Sequence, residues 1–262
     1  MTQIEKLFLL NEILLDEMQE YKEQASEFSK DYDEQRRLLR SLMNVCKTMP
    51  LNKEFLKVQD DFLKEEVVKK GVVFVSDLRT IKSNEQIYLW QGDITTLGVD
   101  AIVNAANSAL LGCFIPCHGC IDNAIHSVAG LQLRNDCGEL IRQQGHEEET
   151  GKAKSTKAYN LPCKNVIHTV GPIIYGELTE RDCDLLASCY MECLKLAEEN
   201  NYESIALCCI STGEFRFPNG KAAEIAVKTV MKFININKSN IKVIFNVFKE
   251  KDYQIYRELL GE

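Results

Sequence analysis

A chain of 262 residues of ordinary composition can bury a full core, and 31 basic against 39 acidic side chains give it a net charge of −8. That balance, with no basic tract, argues against a nucleic-acid partner, because phosphate affinity rests on clustered Lys and Arg. No run approaches the ~18 consecutive apolar residues of a membrane span, and the N-terminus lacks a cationic start and a long apolar centre, so no membrane partner and a cytoplasmic location are expected.

Residues 2 to 70 contain no Gly, and Ile4, Leu7, Leu10, Leu14, Met18 and Tyr21 recur at three and four, a stripe that faces a core or a partner helix. Further helices are expected over 34–46 and 53–69, separated near Pro50 and ended by Gly71. This makes residues 1–71 a helical extension and 72–262 a second unit of different character. Short β-branched runs follow at 72–75, 86–92, 101–106, 154–160, 165–170, 204–210 and 242–248, with helices expected at about 120–144, 180–200, 219–236 and 251–260. Such alternation predicts an α/β layered domain with a mixed or mostly parallel sheet, whose ligands belong at strand C-terminal ends.

The loops leaving those ends carry the chemistry. Asp93, beside Gly92 and just past a strand, suits an exocyclic amine while the Ile94 backbone N–H serves a ring acceptor, a pairing that fits adenine; it can equally be an N-cap. Asn104 and Asn107 are two amides able to hold ribose hydroxyls or to stay buried and satisfied. The loop Ser211, Thr212, Gly213, Glu214, Phe215 precedes a helix, so its backbone N–H groups could cradle a diphosphate without cationic side chains, with Phe215 over a sugar. His168 reads as a satisfied sheet histidine, and Gly171-Pro172 as a turn.

Eleven cysteines in a chain that is neither small nor evidently secreted read mostly as reduced, buried thiols. Residues 113–126, CFIPCHGCIDNAIH, ask for more. Cys113, His118 and Cys120 can close on one zinc ion with a tetrahedral shell one ligand short, which suggests chemistry rather than structure. Cys117 is the rival ligand, disfavoured because adjacent positions 117 and 118 strain a small ring if both bind. Asp122 follows where a helix starts, as a cap or as a carboxylate beside the metal, and His126 reads as structural.

Taken together, GDIT (92–95), NAAN (104–107), CIDNAIH (120–126), HTVGP (168–172) and ISTGEFRFP (210–218) resemble the macrodomain family, in the same order, over roughly residues 72–262. The CFIPCHGC insert resembles its zinc-containing branch. The resemblance implies a macrodomain-type three-layer α/β/α fold with a mixed central sheet after the helical extension, and removal of ADP-ribose from mono-ADP-ribosylated protein. It implies adenine on Asp93 and Ile94 with Phe248 stacked on it, diphosphate on Ser211 through Phe215, and Asn104 and Asn107 near the distal ribose. The catalytic set it implies is Asp122, Asn107 and Asn104, with zinc on Cys113, His118 and Cys120. Implied partners are a lipoyl carrier related to the glycine cleavage H protein and a sirtuin-like ADP-ribosyltransferase. Asn123 and Arg216 depart from the pattern, since many relatives carry Gly at both.

The chemistry expected is hydrolysis at the anomeric carbon of the distal ribose, where oxocarbenium-like charge is stabilised, or water activated, by Asp122. Zinc would orient the sugar or lower the pKa of a water. Two other readings use the same pocket: a non-catalytic ADP-ribose reader, which needs neither Asp122 nor an open metal position, and a deacetylase of O-acetyl-ADP-ribose.

Overall fold

The computed structural model describes residues 1–262. Four helices come first: α1 (Gln3–Glu17), the single-turn α2 (Lys22–Ala25), α3 (Tyr32–Val45) and α4 (Lys53–Lys70). The three long ones start where a side chain can accept from an orphan backbone N–H: Thr2, in a capping box with Glu5, then Asp31 and Asn52. The apolar stripe of α1 does turn inward. Leu7, Leu10 and Leu14 are fully buried against Leu39, Leu42, Phe62 and Leu63, and the same small core takes in Leu131 from beyond the extension. Each such side chain removed from water contributes roughly 1.5–3 kcal/mol.

The rest of the chain runs β1 (Val73–Phe74), β2 (Thr80–Ile81), β3 (Asn84–Gln91), β4 (Leu97–Gly98), β5 (Ala101–Ala106), α5 (Ile121–Ala129), α6 (Leu131–Gln144), β6 (Ala153–Lys157), β7 (Asn165–Val170), α7 (Glu180–Glu199), β8 (Ser204–Leu207), α8 (Asn219–Asn237), β9 (Lys242–Val247) and α9 (Glu250–Leu260). The helix expected over 120–144 is two helices. Gly130, with φ of 98°, ends α5 and opens α6, a backbone conformation that side-chain-bearing residues rarely adopt. Strands β2 and β4 have two residues each, too short to leave a periodic signal.

Seven strands form one mixed sheet in the order β2-β3-β9-β8-β5-β7-β6, and β1 pairs with β4 in a small parallel ladder. The five inner strands are parallel, and the two edges, β2 and β6, are antiparallel to their neighbours. Helices α7, α8 and α9 form one outer layer, and α5 and α6, backed by α3 and α4, form the other. This is the three-layer α/β/α architecture expected from the sequence. Parallel inner strands place all their C-terminal ends along one rim, so the loops after β3, β5, β8 and β9 converge there.

One buried cation stitches the extension to this rim. The Arg134 guanidinium on α6 donates from Nε to Leu111 O at 2.7 Å, and from Nη1 to Met43 O at 2.7 Å and to Cys46 O. Met43 and Cys46 expose the last carbonyls of α3, where a positive charge is favoured by the helix dipole. Truncation to Arg134→Ala strands three acceptors and is expected to lower urea-unfolding stability by about 3 kcal/mol. An unchanged midpoint would contradict the role given to this side chain.

Candidate functional site

Asp122 lies in the first turn of α5, only 5% exposed. Two amides hold its carboxyl: Asn104 Nδ2 donates to Oδ1 at 2.8 Å and Asn107 Nδ2 to Oδ2 at 3.3 Å. Burial pushes the Asp122 carboxyl up to about 6, against the lowering effects of the Asn104 bond and the Arg134 charge. A carboxyl in this state exchanges a proton near neutrality, which is what a general acid or base needs.

The register of the sheet supplies the support. In the parallel pairing of β5 with β7, Asn104 sits beside His168. The Asn104 amide nitrogen contacts His168 Nδ1 at 3.2 Å as well as Asp122, so both its hydrogens are spent. His168 Nδ1 is then the acceptor and Nε2–H donates to Thr156 Oγ1 at 2.9 Å. Burial lowers the imidazole to about 4, so it stays neutral. Neutrality matters, because a proton on Nδ1 would oppose the Asn104 amide and favour turning its carbonyl towards Asp122. Asn104, which the sequence leaves either near the distal ribose or buried, lies fully buried beside the Asp122 carboxyl. Asn107 is partly exposed and also ties its own loop, donating to Gly112 O at 3.1 Å.

His126, one turn along α5, brings Nε2 within 3.6 Å of Asp122 Oδ1. Burial, with the neighbouring His168 and Arg134, lowers its pKa well below the usual range, so this contact is not an ion pair. His126, Cys137 and His168 place ligand atoms within 4.8 Å of one another, but both His168 nitrogens are already engaged and the trio packs as core.

The ligand atoms of Cys113, His118 and Cys120 also lie within 4.8 Å of one another, all partly exposed. His118 Nδ1 is buried without a hydrogen-bond partner, while Nε2 faces Glu214 Oε1 at 3.7 Å. A carboxylate behind one nitrogen and an orphan on the other is the arrangement of a metal-ligating imidazole. Cys120 caps α5, its Sγ accepting from Asn123 N at 3.4 Å. Burial, with the charges of Cys113 and Asp122 adding to it, pushes the Cys120 thiol up to about 12, a penalty that a cation among these groups would offset. Two thiols, an orphan imidazole nitrogen and this electrostatic need fit zinc. Cys117 turns the other way: its Sγ meets Ser41 Oγ at 3.3 Å and Arg37 O at 3.6 Å on α3.

Further along the rim, Asp93 serves as the N-cap of the turn 94–96, Oδ1 accepting from Thr95 N at 2.9 Å. Its Oδ2 pairs with Lys70, the last residue of α4. Burial alone would raise Asp93, but Lys70 and Thr95 hold it below the usual carboxylate range. Ile94 is buried, and Phe248, just past β9, is 74% exposed with its ring free. Between these ends lies the loop after β8. The N–H groups of Ser211, Gly213, Glu214 and Phe215 donate to no backbone carbonyl. Ser211 and Arg216 have φ of 63° and 60°, which explains why a Gly would be at ease at 216. Gly171 is needed where it stands, since a Cβ there would sit 2.0 Å from Ser211 Oγ. Phe217 is anchored in the core.

Lys70, Thr156 and Arg40, which reaches the metal loop from α3, carry no local signal in the sequence. Each acts across a long separation that only the fold closes.

A family model described as Macro domain matches residues 103–226. A protein-ADP-ribose hydrolase from Treponema medium is 55% identical over 263 residues, 100% of both chains. A probable bifunctional ADP-ribose hydrolase/ADP-ribosyltransferase from Fusarium oxysporum f. sp. cubense is 42% identical over 86% of this chain and 40% of its own. The Trypanosoma brucei macrodomain in complex with ADP-ribose superposes with a TM-score of 0.67 at 30% identity, over 85% of this chain and 95% of that one. The chain belongs to the macrodomain family. The enzyme class expected from the sequence, a hydrolase, is the class these curated relatives carry. No helix is long and apolar enough to cross a membrane.

The neutral state of His168 has a measurable consequence. Its folded value of about 4 lies below the ordinary 6.5, so as pH falls through that window the unfolded chain takes up a proton the folded one refuses. Stability is therefore full above the window and falls by up to roughly 3 kcal/mol across it. His168→Gln should flatten the pH dependence of the urea midpoint between about pH 7 and pH 5. An identical slope in variant and wild type would show that His168 is not held neutral.

Proposed function

We propose that this protein hydrolyses the bond between the distal ribose of ADP-ribose and a mono-ADP-ribosylated protein side chain, with residues 72–262 as the catalytic domain. The observation that carries the reading is the sealed Asp122 carboxyl, held by Asn104 and Asn107 two positions from the Cys113, His118 and Cys120 cluster. The names of the full-length relatives support it.

Adenine lies on Asp93 and Ile94 under Phe248, and the diphosphate takes the free N–H groups of Ser211, Gly213, Glu214 and Phe215, with Thr212 in the same turn. The distal ribose then reaches Asn107, Phe215 and Asp122. Asp122 accepts a proton from the attacking water as the new bond to the anomeric carbon forms, and the departing side chain leaves with the electron pair and regains a proton. Asn104 and Asn107 keep the carboxyl aimed. Cys113, His118 and Cys120 would hold zinc, which when bound supplies a Lewis-acid charge beside the sugar. A pure reader has no use for a carboxyl raised to about 6 by burial, which places that alternative second.

The modified protein is a lipoyl carrier of the glycine cleavage H type, and the enzyme that modifies it is a sirtuin-like ADP-ribosyltransferase. The joining of hydrolase and transferase in the name of the Fusarium relative supports a transferase partner. Both proteins would meet this one in the cytoplasm.

The test is release of ADP-ribose from a mono-ADP-ribosylated carrier, with ADP binding and bound zinc measured on the same samples. Asp122→Ala is expected to lose roughly a hundredfold or more in release while ADP affinity stays within about threefold. Cys120→Ala should lose zinc. Full release by both variants would overturn the site assignment. Exhaustive chelation is expected to abolish release; if it left release and ADP-ribose binding intact, zinc would have no part in the reaction.

A further inference from the structure

The loop from Cys113 to Cys120 contains no helix or strand, yet its three ligand atoms converge. What holds it is one face of α3. Arg37, Arg40, Ser41 and Asn44 follow one another at spacings of three, one and three, a single stripe along the helix. Arg40 Nη2 donates to His118 O at 3.1 Å, and Arg40 grips Asn123 Oδ1 twice, from Nε at 3.1 Å and Nη2 at 2.7 Å. Asn44 accepts from Cys117 N at 2.9 Å and donates to Ser127 Oγ at 3.0 Å. The Cys117 thiol closes on Ser41 and on the Arg37 carbonyl. Cys117 itself has φ of 52°, a conformation that costs a non-glycine residue of order 1 kcal/mol or more and persists only when its surroundings impose it.

Asn123 is the hinge of this arrangement. Fully buried, it donates from Nδ2 to Ile115 O at 2.9 Å and from its backbone to Cys120 Sγ at 3.4 Å. Its carbonyl oxygen is free to receive Arg40 only in the orientation that sends its nitrogen to Ile115, so the guanidinium fixes the amide's sense.

Resting on the zinc reading above, we propose that α3 is the brace of the metal loop, and that Arg40, acting through Asn123 and the His118 carbonyl, is a positioning residue for the Cys113, His118 and Cys120 ligand set. The helical extension is thereby part of the metal site, although it contributes no ligand. Ordering an eight-residue loop costs on the order of 1–2 kcal/mol per residue, and contacts from α3 meet part of that cost before any ion arrives. Loss of such outer support typically weakens metal binding by about ten- to a hundredfold.

The experiment uses the full chain, with zinc affinity read by competition against a chromophoric chelator and ADP affinity read by calorimetry. Arg40→Ala should bind zinc about ten- to a hundredfold more weakly with ADP affinity unchanged. Arg40→Lys should fall between, since an ammonium can serve one acceptor but not the fork. Asn123→Gly should weaken zinc similarly, and the double variant should lose less than the product of the single losses. Wild-type zinc affinity in a folded Arg40→Ala chain, strictly multiplicative losses, or ADP affinity falling in step with zinc would each overturn the brace. If Arg40→Ala fails to fold, Arg40→Lys and Asn123→Gly decide the same question. A wild-type chain that takes up no zinc overturns instead the metal reading beneath it, and the two failures are distinct because the second requires the wild type to bind.

Discussion

A carboxyl largely withdrawn from water must be satisfied by whatever surrounds it, and the surroundings of Asp122 account for much of the molecule's rim. Desolvation of an ionised carboxylate costs several kcal/mol unless donors face it. Asn104 and Asn107 provide those donors, one from the end of β5 and one from the loop beyond it. For Asn104 to keep its nitrogen on Asp122, His168 on the neighbouring strand must accept rather than donate, and Thr156 on β6 must take the remaining imidazole hydrogen. Three adjacent strands, β5, β7 and β6, are thus in register for the sake of one oxygen atom, and a slip between any two would turn the supporting side chains to the opposite face.

The candidate metal loop poses the complementary problem. Its ligands are close in sequence, so they can find one another without the fold, but a short loop free in solution samples many shapes. Here the loop is caught between the N-terminus of α5, where Cys120 serves as cap, and the face of α3 that carries Arg40 and Asn44. Arg134 closes the gap from below, joining Leu111 at the loop's entry to the C-terminal carbonyls of α3. Its guanidinium also lies 4.5 Å from the Phe114 ring centroid, covering the loop's apolar side. The extension and the loop consequently share one hydrogen-bonded seam, and Asn123 is the residue that joins its two sides.

How much of this was legible beforehand follows from the range of each signal. Helices of the extension declared themselves through caps and a stripe that is local by nature, as did the β-branched inner strands. The ligand trio was legible because 113, 118 and 120 are near in sequence, and Asp122 because it opens a helix. The break at Gly130 was hidden by a continuous helical pattern on both sides. Long-range partners were not legible at all: nothing near Arg40 points to residue 123, nor near Lys70 to residue 93. For Asn104 the sequence leaves two readings open, a sugar-binding amide or a buried one, and the structure adds its burial and its bond to Asp122.

In an acidic chain, donors to an anionic ligand cannot rest on net positive charge, and the loop after β8 shows how backbone alone can supply them. Left-handed conformations at Ser211 and Arg216 bend the chain twice, each at a cost of order 1 kcal/mol. The bends persist because the loop is fastened at both ends: Ser211 packs against Gly171, Phe217 N donates to Ser211 O at 2.9 Å, and the Phe217 ring fills the core. Between the fastenings, the N–H groups of Gly213, Glu214 and Phe215 donate to no backbone carbonyl and remain available. The start of α8 follows at Asn219 and adds its dipole to the same side. Lys70 plays the matching part at Asp93, pairing with its carboxylate so that this end of the rim presents paired charges rather than a bare carboxylate. The extension therefore contacts both ends of the rim, through Lys70 at one and Arg40 at the other, and the candidate site draws on the whole chain rather than on the sheet domain alone.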